Sequence, residues 1–140
     1  MGNINIGRVV LGGLLAGLVL NIGEVILHDV VLGSHMKDFL ARHNFVEPST
    51  NFIVIAVGLT FVMGIVLVLG YACIRTRLGA GPKTAIIAGL FGWFGVYFYS
   101  GIVNHVFFGT PMGTIATMVA FGLVAYILAA LAGAWVYKEA

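Results

Sequence analysis

The sequence predicts an all-α protein that forms an integral membrane four-helix bundle in a single transmembrane domain. Of its 140 residues, 61% are hydrophobic and only 9% are charged, whereas a soluble domain carries about 25% charged residues. Four apolar runs are each long enough to cross a bilayer, which takes about 20 residues. We therefore expect one transmembrane domain, 1–140, whose spans cover about 8–32, 51–74, 84–108 and 114–137.

The first span is expected to be a retained helix. Its apolar run is too long for a signal peptide, and no small-x-small cleavage site follows it. The connection after it is the longest in the chain, and Met36–His43 within it predicts a short helix lying in the membrane interface. Ser34 is expected to be the N-cap of this helix, and Pro48 is expected to mark a break after it. Three apolar side chains share one face of this helix: Met36, Phe39 and Leu40.

The other two connections are short. In "RTRLGAGPK" the glycines let the chain turn and Pro82 starts the next helix. Its basic residues, Arg75, Arg77 and Lys83, are expected to contact anionic lipid head groups. The last connection, "GTPMG", predicts a tight turn.

Basic residues predict the orientation of the chain. The side that holds both termini and the second loop carries five of them, and the opposite side carries only Lys37 and Arg42. Cytoplasmic loops are enriched in Lys and Arg. We therefore expect a bacterial inner (cytoplasmic) membrane protein with both termini in the cytoplasm. All four histidines would then lie toward the periplasm.

The first and third spans share a weak internal similarity. When residue 13 is placed over residue 89, a shift of 76, six positions are identical and "VVLGSHM" lies over "VFFGTPM". This similarity indicates two helical hairpins arranged as parallel repeats about an axis along the membrane normal.

Polar residues form a stripe on each of these two spans. Asn21, Glu24 and His28 are spaced i, i+3 and i+7, so they share one face of a helix. The shift of 76 places them over a second stripe: Tyr97, Ser100 and Asn104. Because an unpaired polar group in hydrocarbon costs several kcal/mol, the two stripes are predicted to face each other and share one hydrogen-bond network.

Three interpretations of this polar cluster stay open. It is a structural network that joins helices, a ligand site, or a proton or ion path. A ligand site would hold a metal ion on Glu24, His28 and His105, a b-type haem between His28 and His105, or a quinone head group. We expect that the protein holds no cofactor, and haem b or a metal ion is the alternative. Strong metal-binding motifs are missing, and Cys73 is the only cysteine.

Small residues recur at helical spacing in the spans. They let helix backbones approach closely. We expect helix–helix contacts at three positions in particular: Gly13, Gly89 and Gly133.

Three segments carry a resemblance to a known group of proteins. "YACIRTRLGAGPKTAIIAGLFGWF", the closing "LAALAGAWVYKE" and the opening "GGLLAGLVLNIGEVIL" resemble a widespread group of small bacterial four-helix membrane proteins that has no assigned function. The resemblance implies the four-helix architecture, and it implies no activity, cofactor or site residue.

Two classes of function follow from these observations. The first is a non-enzymatic accessory or scaffolding subunit of a larger membrane assembly, whose partners are the lipid bilayer and other membrane subunits or a second copy. The second is a ligand-binding or redox protein with a metal, haem b or quinone site near the periplasmic face. An enzyme is not favoured, since nothing pairs a nucleophile with a base. Nucleic acid is not expected as a partner, because the net charge is only +2.

Overall fold

The computed structural model describes residues 3–139, and within them the chain is helical and has no strands. Four helices are long and apolar enough to cross a membrane. This result confirms the predicted all-α class and the prediction of four membrane-length helices. The helices are α1 (Ile6–Val31), α2 (Gly33–Arg42), α3 (Thr50–Leu78), α4 (Pro82–Phe108) and α5 (Met112–Val136). Two segments are wound as π-helix: Ile26–Val31 in α1 and Phe94–Tyr99 in α4.

The four long helices pack in a ring. Helix α1 lies between α3 and α5, and α4 packs against α5 and more loosely against α3. Consequently α1 and α4 lie diagonally opposite each other, with hardly any direct backbone contact. The largest fully buried side chains are Leu20, Leu27 and Val68.

Glycines set the closest helix contacts. A Cβ built on Gly13 would lie 2.9 Å from the backbone nitrogen of Ile65 in α3, and one built on Gly89 would lie 2.9 Å from the carbonyl oxygen of Tyr126 in α5. A Cβ on Gly133 would lie 3.0 Å from the carbonyl oxygen of Gly12. The three predicted glycine contacts are therefore confirmed. In each case the backbones are too close together for a larger residue.

The two ends of the bundle differ. At one end Asn5 donates its backbone N–H to the Tyr137 hydroxyl over 3.4 Å, so both termini lie together; we call this the terminal end. The opposite end carries α2, and we call it the α2 end. At the α2 end the ring of His43 lies 3.2 Å from the carbonyl oxygen of Phe108. Helix α2 is thereby held against the end of α4.

The helix bounds differ from the predicted ones in a few places. Helix α3 continues to Leu78 rather than ending at residue 74. The expectation that Ser34 caps α2 is wrong, because α2 begins at Gly33 directly after the π-helical segment of α1. The N-cap position falls on Leu32, whose side chain makes no capping bond. Helix α2 ends before Asn44, which adopts a positive φ of 53°, a conformation that asparagine tolerates.

The two π-helical segments do not coincide under the shift of 76. That shift places residues 26–31 over 102–107, whereas the π-helix of α4 covers Phe94–Tyr99. The internal repeat therefore stays a prediction.

Candidate functional site

Three of the predicted polar residues meet between α1 and α4. His28 Nε2 lies 3.0 Å from Glu24 Oε2, one helical turn away. The Tyr97 hydroxyl donates a hydrogen bond to the other carboxylate oxygen, Glu24 Oε1. We call these residues the Glu24 cluster. Because α1 and α4 are diagonal in the ring, it is the length of the Glu24 and Tyr97 side chains that lets them meet.

Tyr97 is positioned by α5. Its ring covers Gly122, where an added Cβ would lie 2.7 Å from Tyr97 Cδ1. The ring also meets Tyr126 edge-on, with centroids 5.8 Å apart and an interplanar angle of 76°. Tyr97 is only 6% exposed and lies in the π-helical segment of α4, a distortion that is frequent at functional sites. Because Gly122 has no side chain, the Tyr97 ring can lie against it with the hydroxyl directed at Glu24.

The Glu24 cluster is partly exposed. The side chains of Glu24 and His28 are 33% and 36% exposed. Both carboxylate oxygens of Glu24 have a hydrogen-bond partner. His28 Nδ1 is buried and has no partner among residues 3–139. The hydrogen-bonding capacity of this imidazole nitrogen is therefore unsatisfied within the described residues.

The other members of the two stripes bond within their own helices. Asn21 Nδ2 donates to the Gly17 carbonyl at 2.9 Å, with a longer 3.5 Å contact to Val57 of α3. On α4 the same pattern recurs, each donor bonding four residues back: Ser100 Oγ to Val96 O, and Asn104 Nδ2 to Ser100 O. The larger predicted network therefore does not form. Short side chains of this kind reach a backbone carbonyl of their own helix more easily than a diagonal helix.

His105 is engaged at the end of α4. Its Nδ1 lies 2.7 Å from the Thr110 carbonyl oxygen in the turn before α5. Within residues 3–139 no three His, Cys, Asp or Glu side chains are close enough together to hold a metal ion. The predicted metal set of Glu24, His28 and His105 is therefore not assembled.

The basic residues at the terminal end fall into two groups. Arg77 and Lys83 are exposed, so the predicted contact with lipid head groups remains open to them. Arg75 instead bonds within the protein: its Nε lies 3.2 Å from Glu139 Oε1. Its guanidinium also lies over the rings of Tyr137 and Tyr71, 5.1 Å and 5.8 Å from their centroids. Arg75 is therefore engaged within the protein, and its predicted contact with head groups stays a prediction.

Sequence reasoning missed two residues that shape the Glu24 cluster. Gly122 and Tyr126 are spaced i, i+4 on α5, and both contact the Tyr97 ring. A small residue one turn from an aromatic residue is the signal that marks such a ring contact. By itself that signal does not identify the ring that packs there.

Comparisons with known proteins add no relative. The chain matches no family model, no curated protein and no solved structure.

Proposed function

We propose that this chain is a non-enzymatic integral membrane protein that acts as an accessory or scaffolding subunit of a larger membrane assembly. The observation that carries the proposal is the first part of α3, residues 50–59, which we call the α3 arm. Within the arm only Ala56 is even partly buried.

The α3 arm is exposed on every side. Three consecutive residues, Ile53, Val54 and Ile55, are 53%, 65% and 61% exposed, and consecutive helical residues point about 100° apart. Helix α5 behaves differently, since most of its turns bury a residue against its neighbours: Ile115, Gly122, Tyr126, Ala129, Ala130 and Gly133. The arm therefore lacks the side-to-side packing that holds membrane helices together.

A transmembrane helix of another subunit would supply that packing. Gly58 lies near the end of the arm, and a Cβ built on it meets nothing within 4 Å. A partner backbone could therefore approach closely at this position. The contact would be made in the half of the membrane nearer the α2 end. The absence of long loops between the described helices also suits a protein that works through its membrane-facing sides.

The proposal includes the membrane and the orientation predicted from the basic residues. In a bacterial inner membrane with cytoplasmic termini, the α3 arm and the Glu24 cluster lie in the periplasmic half. The resemblance to small bacterial four-helix membrane proteins and the two parallel hairpins belong to the same proposal.

Site-specific photo-crosslinking in the host membrane tests the subunit role. A photoreactive phenylalanine analogue at Ile55 or Leu59 should give a discrete adduct that contains a second membrane protein. The matched controls are Val124 and Leu128 on α5, which are 58% and 53% exposed against 61% and 63% for the arm positions. Those controls should crosslink only to lipid. The same lipid-only pattern at all four positions, or an adduct of twice the chain's mass, would contradict the role of a subunit in a larger assembly.

Ligand binding at the Glu24 cluster is a second candidate function, and the unpartnered Nδ1 of His28 favours it. Because this nitrogen is buried, a ligand would hydrogen-bond or coordinate it only after the imidazole turns, and would then complete the cluster. Purified protein would then carry a quinone, a metal ion or a chromophore, measurable by extraction, elemental analysis or absorbance. His28→Ala should remove that ligand, whereas His35→Ala in α2 should retain it. Protein that carries none of these groups when isolated from its host membrane would count against this candidate.

A further inference from the structure

A cavity of about 130 Å³ lies at the α2 end, between α2 and the turn that joins α4 to α5. Three polar residues on its wall are Arg42, Asn104 and Thr114, and three apolar ones are Phe39, Ile115 and Met118. None of the three residues of the Glu24 cluster lines it. The cavity is therefore separate from that cluster and from the α3 arm.

The wall of this cavity is electrostatically positive. Arg42 is the only Lys, Arg, Asp or Glu among the lining residues. Its Nε donates to the backbone carbonyl of Asp38 over 3.3 Å, and its terminal nitrogens bond to nothing else among residues 3–139. The forked end of the guanidinium is therefore available to an anion.

The beginning of α5 adds to the positive character. Pro111 occupies its N-cap position and makes no side-chain capping bond, and its first turn has no acidic residue. The first N–H groups of a helix have no partner within the helix and carry its positive dipole end. Pro111 and Thr114 both line the cavity. An anion placed there would therefore meet both Arg42 and the start of α5.

The rest of the wall suits an acyl chain. The apolar side chains of Phe39, Ile115 and Met118 lie beside the polar ones. The cavity is too small for a whole phospholipid, so it would take the part of an amphiphile where head group and chain join. Helix α2 is short and amphipathic, which is typical of a helix at head-group depth. We therefore expect the cavity to lie at the level of the lipid phosphates.

We propose that this cavity is a binding site for one anionic phospholipid. Its phosphate binds Arg42 and the start of α5, and the first methylene groups of its chain pack on the apolar wall. Phosphate is chosen because an arginine fork matches two of its oxygens. This inference concerns a lipid ligand and does not depend on the proposed subunit role.

Thermal unfolding of the purified protein in detergent tests the proposal. Adding phosphatidylglycerol should raise the Tm, and phosphatidylcholine with the same acyl chains should raise it far less. Inorganic phosphate lacks the chain and should also have little effect. Arg42→Gln should weaken the dependence on phosphatidylglycerol about tenfold, as expected for loss of a hydrogen bond to a charged group.

Two further variants separate a specific site from general attraction between charges. Lys37→Gln removes one positive charge from the same helix but lies outside the cavity wall, so it should respond to phosphatidylglycerol as the unchanged protein does. Thr114→Phe fills the cavity and should abolish the response, and its Tm without lipid shows whether it folds. Equal losses in Arg42→Gln and Lys37→Gln, or equal stabilisation by phosphatidylcholine or inorganic phosphate, would overturn the proposal.

Discussion

Glu24 is the residue on which the polar contacts between α1 and α4 depend. It accepts one hydrogen bond from its own helix, from His28, and one from Tyr97 across the ring. Tyr97 is only 6% exposed, so its hydroxyl is left without a partner if the carboxylate is removed. The side chain of His28 is 36% exposed and can bond to water instead. The loss of folding stability on removing Glu24 therefore depends on the donors that are left without a partner.

Glu24→Leu should lower the free energy of unfolding by about 1–3 kcal/mol, because the buried Tyr97 hydroxyl is left unpaired. Glu24→Gln keeps an oxygen acceptor for Tyr97 and should cost less. Denaturant unfolding in detergent, followed by circular dichroism, measures both. Ser100→Ala is the control, since Ser100 bonds only to a carbonyl of its own helix. Wild-type stability of the leucine variant would show that these hydrogen bonds do not hold the helices together.

Arg75 has the corresponding role at the terminal end. Arg75→Ala removes the ion pair with Glu139 and the stacking on two tyrosine rings. An exposed ion pair contributes between 0 and 1 kcal/mol and a cation–π contact about 0.5–2 kcal/mol, so we expect a loss of about 1–2 kcal/mol. Arg77→Ala removes an exposed arginine two residues away and should leave the Tm unchanged. Equal Tm values for the two variants would show that the contacts of Arg75 contribute nothing to stability.

At the scale of helices, some glycines lie at close backbone contacts and others lie in open space. Gly13 of α1 touches the backbone of α3, whereas Gly95 of α4 has nothing within 4 Å of an added Cβ. The packing of α1 therefore depends on small residues at defined positions rather than on glycine content.

Gly13→Leu and Gly133→Leu should each lower stability by on the order of 1–3 kcal/mol, since a side chain at either site forces two backbones apart. Gly95→Leu is the matched control and should change it little. The Tm in detergent separates these outcomes. Similar Tm values for all three leucine variants would mean that the close backbone contacts of α1 do not determine the stability of the protein.

At the scale of the whole molecule, the orientation decides which side of the membrane the α2 end faces. A cysteine at Ser34 should react with a membrane-impermeant thiol reagent in intact cells, and one at Ala80 should not. Both positions are exposed. Ala80 is preferred to its neighbour Gly79, whose φ of +84° disfavours any side chain. The native Cys73, which is exposed near the terminal end, is first replaced by alanine. The reverse labelling pattern would place the Glu24 cluster and the cavity in the cytoplasmic half.

The class of fold and the helix contacts could be predicted from local properties of the chain. The four long helices follow from the length of the apolar runs, because a bilayer requires about 20 apolar residues in each. Helix α2 follows from the spacing of its apolar residues, and the contact at Gly13 follows from small residues at helical spacing. Each of these properties belongs to one segment and its solvent, so no knowledge of neighbouring helices was needed.

Which polar groups meet was decided only by the tertiary structure. The spacing of the stripes predicted that Glu24 would face Tyr97, Ser100 and Asn104 together. In the ring of helices α1 and α4 are diagonal, so only a long side chain spans the gap, and Gly122 of α5 provides the space for the Tyr97 ring. Ser100 and Asn104 bond to their own helix because their side chains are too short to cross. Whether two side chains can meet across a bundle depends on the order of the helices and on the residues between them. Neither is a property of a single helix.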